Sequence, residues 1–203
     1  VVDTVEVALA DSLTAPVSSS LVRWLVGHGR VADAARCPGR VYTLTGRVTA
    51  GDKRGRTIGV PTANLAPTDI EGKLLPAEGV YGGRVGLPDG SQYPAAVSIG
   101  VNPTFAATAR TVEAHLLGFN GDLYGHPITI LFERWLREQR RFSTIDALRD
   151  QLERDIDYTQ ALADQGLMDA AIGDGPGDDC RYKGPESTMG TSPCSCESET
   201  QIR

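Results

Sequence analysis

The chain of 203 residues carries 20 basic and 26 acidic side chains, a net charge of −6, and 40% hydrophobic residues. These values fit one globular domain with appendages, and the acidic balance argues against bulk nucleic-acid binding. No apolar run approaches the roughly 20 residues that cross a membrane, and no signal peptide is recognisable, so we expect a cytoplasmic protein with no membrane partner.

The four cysteines do not form a recognisable metal site. Three of them lie near the C-terminus, and Cys194-Ser195-Cys196 lacks the two-residue spacing of a zinc knuckle. We therefore expect reduced thiols without a bound metal, as is usual in the cytoplasm.

The first forty residues predict elements that are too small to form a core alone. Residues 1–9 alternate as in a strand, and a loop is expected to continue through Pro16. Ser18 can cap a short helix that Gly27 ends, and a second short helix is predicted over 31–36. These pieces would have to dock on the segment that follows.

From residue 41 onward the sequence predicts short strands separated by turns. The predicted strands cover 41–49, 61–65, 79–85, 93–99, 111–117 and 127–135. Turn sequences such as Pro88-Asp89-Gly90 lie between them. Strands at this spacing favour a mainly β fold that closes into an antiparallel barrel.

The last regular element is an amphipathic helix that Ser143 or Thr144 can cap. Its apolar stripe consists of Ile145, Leu148, Leu152, Ile156, Thr159 and Leu162. Because these residues recur at helical spacing, we expect them to pack the helix across the barrel. Residues 167–203 are rich in Gly, Pro, Ser and Asp, and we expect them to be a disordered tail without function.

A glycine-rich basic loop occupies the stretch 51–65. Gly51 and Gly55 would let the backbone approach a ligand closely, and Lys53 and Arg56 supply positive charge for phosphate. It is not a Walker A loop, because no Gly-Lys-Ser/Thr follows the glycines. The residues alone leave two interpretations open, a nucleotide-phosphate site and a basic surface hairpin.

Two oxygen-bearing side chains follow that loop. Thr62 and Asn64 lie two residues apart, so in an extended segment both point to the same face. Neutral oxygens of this kind suit a hard cation such as Mg²⁺. The two residues are therefore candidate metal ligands.

The strand predicted over 111–117 carries a candidate base. Its apolar residues Val112, Ala114 and Leu116 share one face, which leaves Glu113 and His115 on the other. Glu113 could simply face solvent, or it could accept a proton from a substrate hydroxyl. His115 is interpreted as a hydrogen-bonded or exposed strand residue rather than a ligand.

The ordered motifs of the chain resemble those of riboflavin kinases. They are Pro61-Thr62-Ala63-Asn64 after the glycine-rich loop, Gly79-Val80-Tyr81, the run 96–105, the run 112–117, Asp122-Leu123-Tyr124-Gly125, and Leu136-Arg137 with Arg141-Phe142. The resemblance covers roughly residues 40–165 and preserves the order of the family's motifs.

The resemblance implies a six-stranded antiparallel Greek-key barrel with a C-terminal helix, which transfers the ATP γ-phosphoryl group to the 5′-hydroxyl of riboflavin. It implies Glu113 as the general base and Thr62 and Asn64 as contacts to Mg²⁺ and the nucleotide. The loop around Gly51, Lys53, Gly55 and Arg56 would cover the phosphates, and Arg137 and Phe142 would lie near the flavin. A non-catalytic flavin- or nucleotide-binding module remains the alternative.

The resemblance also implies a division of the chain. Residues 1–40 are similar to the end of the FMN adenylyltransferase module of bifunctional FAD synthetases. In this resemblance Ser18-Ser19-Ser20 correspond to a motif of that module that contributes to its nucleotide site. The kinase domain would cover 41–166. We expect no adenylyl transfer by this chain, although a full-length parent would carry both activities. The short first segment could also expose an apolar face and cause self-association.

Overall fold

The computed structural model describes residues 6–9, 14–51, 55, 59–101 and 110–166. Several predictions fall outside these residues: those for Lys53 and Arg56, for part of the run 96–105, and for the tail 167–203.

Eight strands and four helices are found in the described parts of the chain. The strands are β1 (Glu6–Ala8), β2 (Thr14–Pro16), β3 (Tyr42–Thr49), β4 (Ala63–Leu65), β5 (Gly79–Gly86), β6 (Gln92–Val101), β7 (Arg110–Leu116) and β8 (Pro127–Arg137). The helices are α1 (Ser19–Gly27), α2 (Val31–Arg36), α3 (Pro67–Ile70) and α4 (Ile145–Asp164). Among the described residues, none of the helices combines the length and the apolar character needed to cross a membrane.

Six of the strands close into an antiparallel barrel, in the order β3-β4-β7-β6-β5-β8. The predicted mainly β fold and six-stranded barrel are therefore confirmed. β4 is the shortest strand of the barrel and pairs with β7 over only two positions, Ala63 with Ala114 and Asn64 with Glu113. On its other side β7 follows β6 over seven pairs, among them Ser98 with Glu113.

The core fills the inside of the barrel because alternate residues of each strand point inward. On β7 these are Val112, Ala114 and Leu116, and all three are buried. The ring of Tyr81 lies edge-on against Phe132, with ring centroids 5.4 Å apart. Since the interior is filled with apolar side chains, a polar ligand site has to lie on the outer face.

The N-terminal segment docks on the barrel, as its small size requires. Ser18 caps α1 as predicted, because its Oγ accepts a hydrogen bond of 3.1 Å from the Leu21 N–H. Val31 of α2 belongs to the barrel core, whereas Leu25 and Val26 belong to a second, smaller cluster.

Two short elements were not predicted. The loop expected through Pro16 contains β2, which pairs with β1 from Thr14 to Pro16. A three-residue strand that includes a proline carries no periodic signal, and its pairing partner determines it. The single-turn helix α3, which begins at Pro67, was missed for the same reason.

The C-terminal helix α4 begins where the sequence predicted. Thr144 is its N-cap, and the Thr144 Oγ1 accepts a hydrogen bond of 3.1 Å from the Ala147 N–H. Thr159 and Leu162 are buried against Gly82 of β5. The helix therefore lies on the outer face of the barrel, over β5 and β6.

Candidate active site

The structure brings together three of the predicted site residues, Thr62, Asn64 and Glu113. The Thr62 hydroxyl donates a hydrogen bond of 3.1 Å to Oε2 of Glu113. The Asn64 Nδ2 lies 3.4 Å from Thr62 Oγ1. A carboxylate, a hydroxyl and an amide are thus linked on the outer face of the barrel.

Local strand geometry produces this cluster. Val112 and Ala114 point into the core, so the intervening Glu113 points outward. Asn64 stands directly opposite Glu113 in the β4–β7 register, and directly opposite residues share a face. The alternation read from the sequence therefore placed Glu113 on the correct face.

The glycine-rich loop meets this cluster at Gly51. A Cβ atom added to Gly51 would lie 2.5 Å from Cγ of Asn64, which is closer than non-bonded atoms approach. Gly55 is also crowded, because an added Cβ would overlap the carbonyl oxygen of Val60. The Val60 N–H donates a 2.8 Å hydrogen bond to the Gly55 carbonyl.

A cleft of about 500 Å³ opens beside Glu113, between the barrel and α4. Its polar lining includes Thr62, Ser98, Glu113, His115, Arg137 and Arg140. Its apolar lining includes Val80, Phe142, Ile145, Leu148, Leu152 and Ile156. The cleft is therefore polar at the Glu113 end and apolar along the helix.

The apolar stripe of α4 has two roles, whereas the sequence predicted packing alone. Thr159 and Leu162 at its C-terminal end pack on the barrel. Ile145, Leu148 and Leu152 at its N-terminal end line the cleft, and Ile145 stays 65% exposed. Helical spacing identifies which residues share a face, but it does not reveal that part of the face lies over open space.

Arg137 and Phe142, which were predicted to lie near the flavin, both line the cleft. The guanidinium of Arg137 lies 5.9 Å from the Phe142 ring centroid. Its Nε donates to both carboxylate oxygens of Asp155 at 3.0 Å, and its Nη2 donates to Oδ2 at 2.7 Å. Gln151 donates a further 2.9 Å hydrogen bond to Asp155.

Asp155 also lines the cleft, and the sequence did not predict it as a site residue. Its side chain is 6% exposed and that of Arg137 is 13% exposed, so the pair is largely withdrawn from water. One signal was available, because Asp155 lies on the stripe between Leu152 and Thr159. A carboxylate on an apolar stripe requires a buried partner.

A second, smaller cavity of about 220 Å³ lies on the other side of Thr62. Phe119 and Tyr124 line it together with Asp122, whose carboxylate accepts a 2.9 Å hydrogen bond from the Tyr124 N–H. Thr62 lines both cavities. Two ligands could therefore meet at the Thr62–Glu113 contact.

The donor set fits a magnesium ion that is held mainly by its substrate. Thr62 and Asn64 offer neutral oxygens beside the Glu113 carboxylate. Within the described part of the chain, no group of three or more His, Cys, Asp and Glu side chains could hold a metal. Mg²⁺ takes few protein ligands and completes its shell with phosphate oxygens and water, so the neutral oxygens of Thr62 and Asn64 beside Glu113 fit its chemistry.

Comparison with known proteins determines the family. The family model described as riboflavin kinase (Flavokinase) matches residues 38–163, more than half of the chain. The chain belongs to the riboflavin kinase family. Thr62, Asn64, Glu113, Arg137 and Phe142 all lie inside the matched kinase region.

Two bacterial proteins with bifunctional names are similar to this riboflavin kinase domain. The bifunctional riboflavin kinase/FMN adenylyltransferase of Pseudomonas fluorescens is 38% identical over 148 residues, 72% of this chain and 46% of that protein. Its namesake from Listeria monocytogenes is 36% identical over 161 residues, 77% of this chain and 50% of that protein. The chain thus spans about half the length of the curated relatives it matches.

A solved structure shares the fold of the kinase domain. A crystal structure described as a macrolide-efflux protein from Streptococcus pneumoniae superposes with a TM-score of 0.67 at 34% identity. The superposition covers 72% of this chain and 47% of the Streptococcus pneumoniae chain.

Proposed function

We propose that this chain is a magnesium-dependent kinase that transfers the γ-phosphoryl group of ATP to the 5′-hydroxyl of riboflavin and releases FMN and ADP. Membership in the riboflavin kinase family supports the substrates and the reaction class. The observation that carries the assignment of roles is the 3.1 Å contact between Thr62 Oγ1 and Glu113 Oε2, at the junction of two cavities.

The larger cleft suits riboflavin. The isoalloxazine ring is flat and largely apolar, and the wall formed by Leu148, Leu152 and Phe142 offers it an apolar surface. The ribityl chain carries hydroxyls, which match the polar end at Ser98 and Glu113. In this orientation the 5′-hydroxyl reaches Glu113.

The smaller cavity suits the nucleotide. The rings of Phe119 and Tyr124 offer stacking partners for a base, and Thr62 stands where the phosphates would enter the shared junction. The backbone around Gly51 and Gly55, with the charges of Lys53 and Arg56, would cover those phosphates. This arrangement directs the γ-phosphoryl group toward the larger cleft.

Glu113 acts as general base in the proposed reaction. As the riboflavin 5′-oxygen bonds to the γ-phosphorus, the bond from that phosphorus to the β–γ bridging oxygen breaks. The hydroxyl proton passes to the Glu113 carboxylate, and ADP leaves with the bridging oxygen. Thr62 donates a hydrogen bond to the carboxylate and so keeps one oxygen oriented while the other faces the substrate.

Magnesium would be held by the Thr62 and Asn64 oxygens together with the phosphates, where it would neutralise charge on the transferring group. Gly51 contributes by leaving room for the Asn64 side chain, since any larger residue would displace it. Thr62 lines the cavity that would take the nucleotide, and the Asn64 side chain lies beside it, with Nδ2 3.4 Å from Thr62 Oγ1.

The boundaries of the kinase domain at 41–166 and its cytoplasmic location are part of the same proposal. The bifunctional names of the relatives support a full-length protein with a second, FMN adenylyltransferase activity. Residues 1–40 would then belong to that second module, and we expect this chain alone to lack adenylyl transfer.

The direct test is incubation of the purified chain with riboflavin, ATP and Mg²⁺, followed by chromatographic separation of flavins. FMN should accumulate with stoichiometric ADP, and chelation with EDTA should stop it. Absence of FMN from folded protein would refute the kinase assignment. Calorimetric binding of riboflavin and ADP without turnover would then favour a non-catalytic binding module.

A further inference from the structure

We propose that His115 is a positioning residue that holds the Pro61 carbonyl and thereby fixes the hydroxyl of Thr62 against Glu113. The proposal rests on the kinase function above and adds to it a residue that does not touch the reacting atoms.

The proposal rests on the point where the pairing between β4 and β7 ends. The ladder contains only the pairs Ala63–Ala114 and Asn64–Glu113. Continued by one step, the same register would set Thr62 opposite His115, but strand pairing ends before that step. One step beyond Thr62 the register would reach Pro61. Because proline lacks an N–H, Pro61 cannot donate a hydrogen bond to β7 there.

The His115 side chain supplies a link where the backbone does not. Its Nδ1 lies 2.7 Å from the carbonyl oxygen of Pro61. Since a carbonyl oxygen can only accept, Nδ1 must carry the hydrogen in this contact. The imidazole thus joins β7 to the segment that enters β4.

This link fixes Thr62 on both sides. On its C-terminal side Ala63 is paired with Ala114, and on its N-terminal side Pro61 is held by His115. The short peptide between these two points leaves little freedom for the Thr62 backbone. Its hydroxyl is therefore held 3.1 Å from Oε2 of Glu113.

One strand provides both the base and the support for its hydrogen-bond donor. Glu113 and His115 lie two residues apart on β7 and line the same cleft. Without the His115 contact, Ala63 would still pair with Ala114, but Pro61 on the other side of Thr62 would no longer be held. Because misplacement of a positioning group by about 1 Å can cost on the order of 100-fold in rate, we expect a measurable loss in kcat.

The test compares substitutions that remove, keep or move the hydrogen-bond donor at the Nδ1 position. His115→Phe keeps the ring volume without a donor, and His115→Asn keeps an N–H at the place of Nδ1. His115→Gln moves the amide one bond further out. We expect kcat for FMN formation to fall about 10- to 100-fold in H115F and H115Q, and to recover most of that loss in H115N.

A double-mutant cycle with Thr62→Ala separates positioning from general damage. If His115 acts through Thr62, then H115F combined with T62A should be no slower than T62A alone. Multiplicative losses in the double variant would overturn the proposal, and so would equal rates in wild type, H115F and H115Q. An H115N rate as low as that of H115F would overturn it too.

Lys73→Met serves as the matched control. The Lys73 Nζ donates a 2.8 Å hydrogen bond to the Thr45 carbonyl, a comparable side-chain link to the backbone outside the cleft lining. Its loss should leave kcat unchanged. Thermal unfolding identifies variants that fail to fold, and H115N and H115Q decide the question if H115F is one of them. Wild-type protein without FMN formation would instead refute the kinase function itself.

Discussion

Asn64 and Glu113 stand directly opposite each other across the β4–β7 pair, with Thr62 hydrogen-bonded to the same carboxylate. Two neutral side chains, those of Thr62 and Asn64, thus lie beside the Glu113 carboxylate on the outside of the barrel. The proposed mechanism gives each side chain a separate chemical task, and each task can be tested by substitution.

Replacement of Glu113 by Gln should separate catalysis from binding. The amide keeps the shape and can still accept from the Thr62 hydroxyl, but it cannot take up the substrate proton. We expect kcat to fall by roughly 10²- to 10⁴-fold while calorimetric ADP affinity stays within about twofold. Glu153→Gln on the exposed face of α4 is the control and should retain full activity. A fully active E113Q protein would exclude Glu113 as the base.

Replacement of Gly51 by Ala should displace Asn64. The added Cβ would lie 2.5 Å from the Asn64 Cγ, so either the loop or the side chain has to move. We expect a KM for ATP that is raised about tenfold and a riboflavin affinity that is nearly unchanged. Gly86→Ala is the matched control, because its added Cβ meets only the Thr129 oxygen at 3.8 Å. Equal ATP kinetics in G51A and wild type would refute the role of this close approach.

Removal of the Asp155 carboxylate should loosen α4. Asp155→Ala leaves the largely buried guanidinium of Arg137 without its ion-pair partner, which costs up to about 3–5 kcal/mol of unfolding free energy. The same change should weaken riboflavin binding, because the N-terminal half of α4 lines the cleft. Urea unfolding and flavin fluorescence titration measure the two effects.

The control for this change lies on the same helix. Asp164 accepts a 2.7 Å hydrogen bond from Gln160 in an exposed position, so Asp164→Ala should cost less than about 0.5 kcal/mol. If D155A were as stable as D164A, the Arg137–Asp155 pair would not anchor the helix.

Acid stability should depend on Asp69. The Arg47 guanidinium and backbone N–H donate to this carboxylate and hold its pKa well below the ordinary value of 3.8. A lowered pKa in the folded state stabilises the fold above pH 3.8, and this contribution is lost as the pH falls toward the folded-state value. Unfolding experiments should therefore show wild type more stable than D69N near neutral pH, with the difference shrinking below pH 3.8. A difference that does not change with pH would contradict this origin.

The larger elements could be predicted from the sequence because their patterns are periodic. The six barrel strands lie close to the predicted positions, and Thr144 caps α4 as its sequence indicated. Alternation on β7 also placed Glu113 outside the core. The pieces that were missed, β2 and α3, are three and four residues long and are determined by their neighbours rather than by pattern.

The site could be predicted only in part. Residue type and spacing made Thr62, Asn64 and Glu113 candidates, and the resemblance to riboflavin kinases implied their roles. The structure brings them together. The position of Asp155 on the apolar stripe indicated a buried partner, but local pattern could not identify that partner as Arg137, 18 positions away. The His115 contact with Pro61 spans 54 positions and was equally invisible.

The alternation along β7 has a practical consequence for protein engineering. Residues 112, 114 and 116 hold the interior, and residues 113 and 115 face the cleft together with Ala96 and Ser98 of β6. A combinatorial library at Ala96 and Ser98 would therefore alter the shape of the cleft proposed to bind riboflavin, without creating voids inside the barrel. Selection for new flavin analogues could begin from those two positions, with the chemistry of Glu113 left intact.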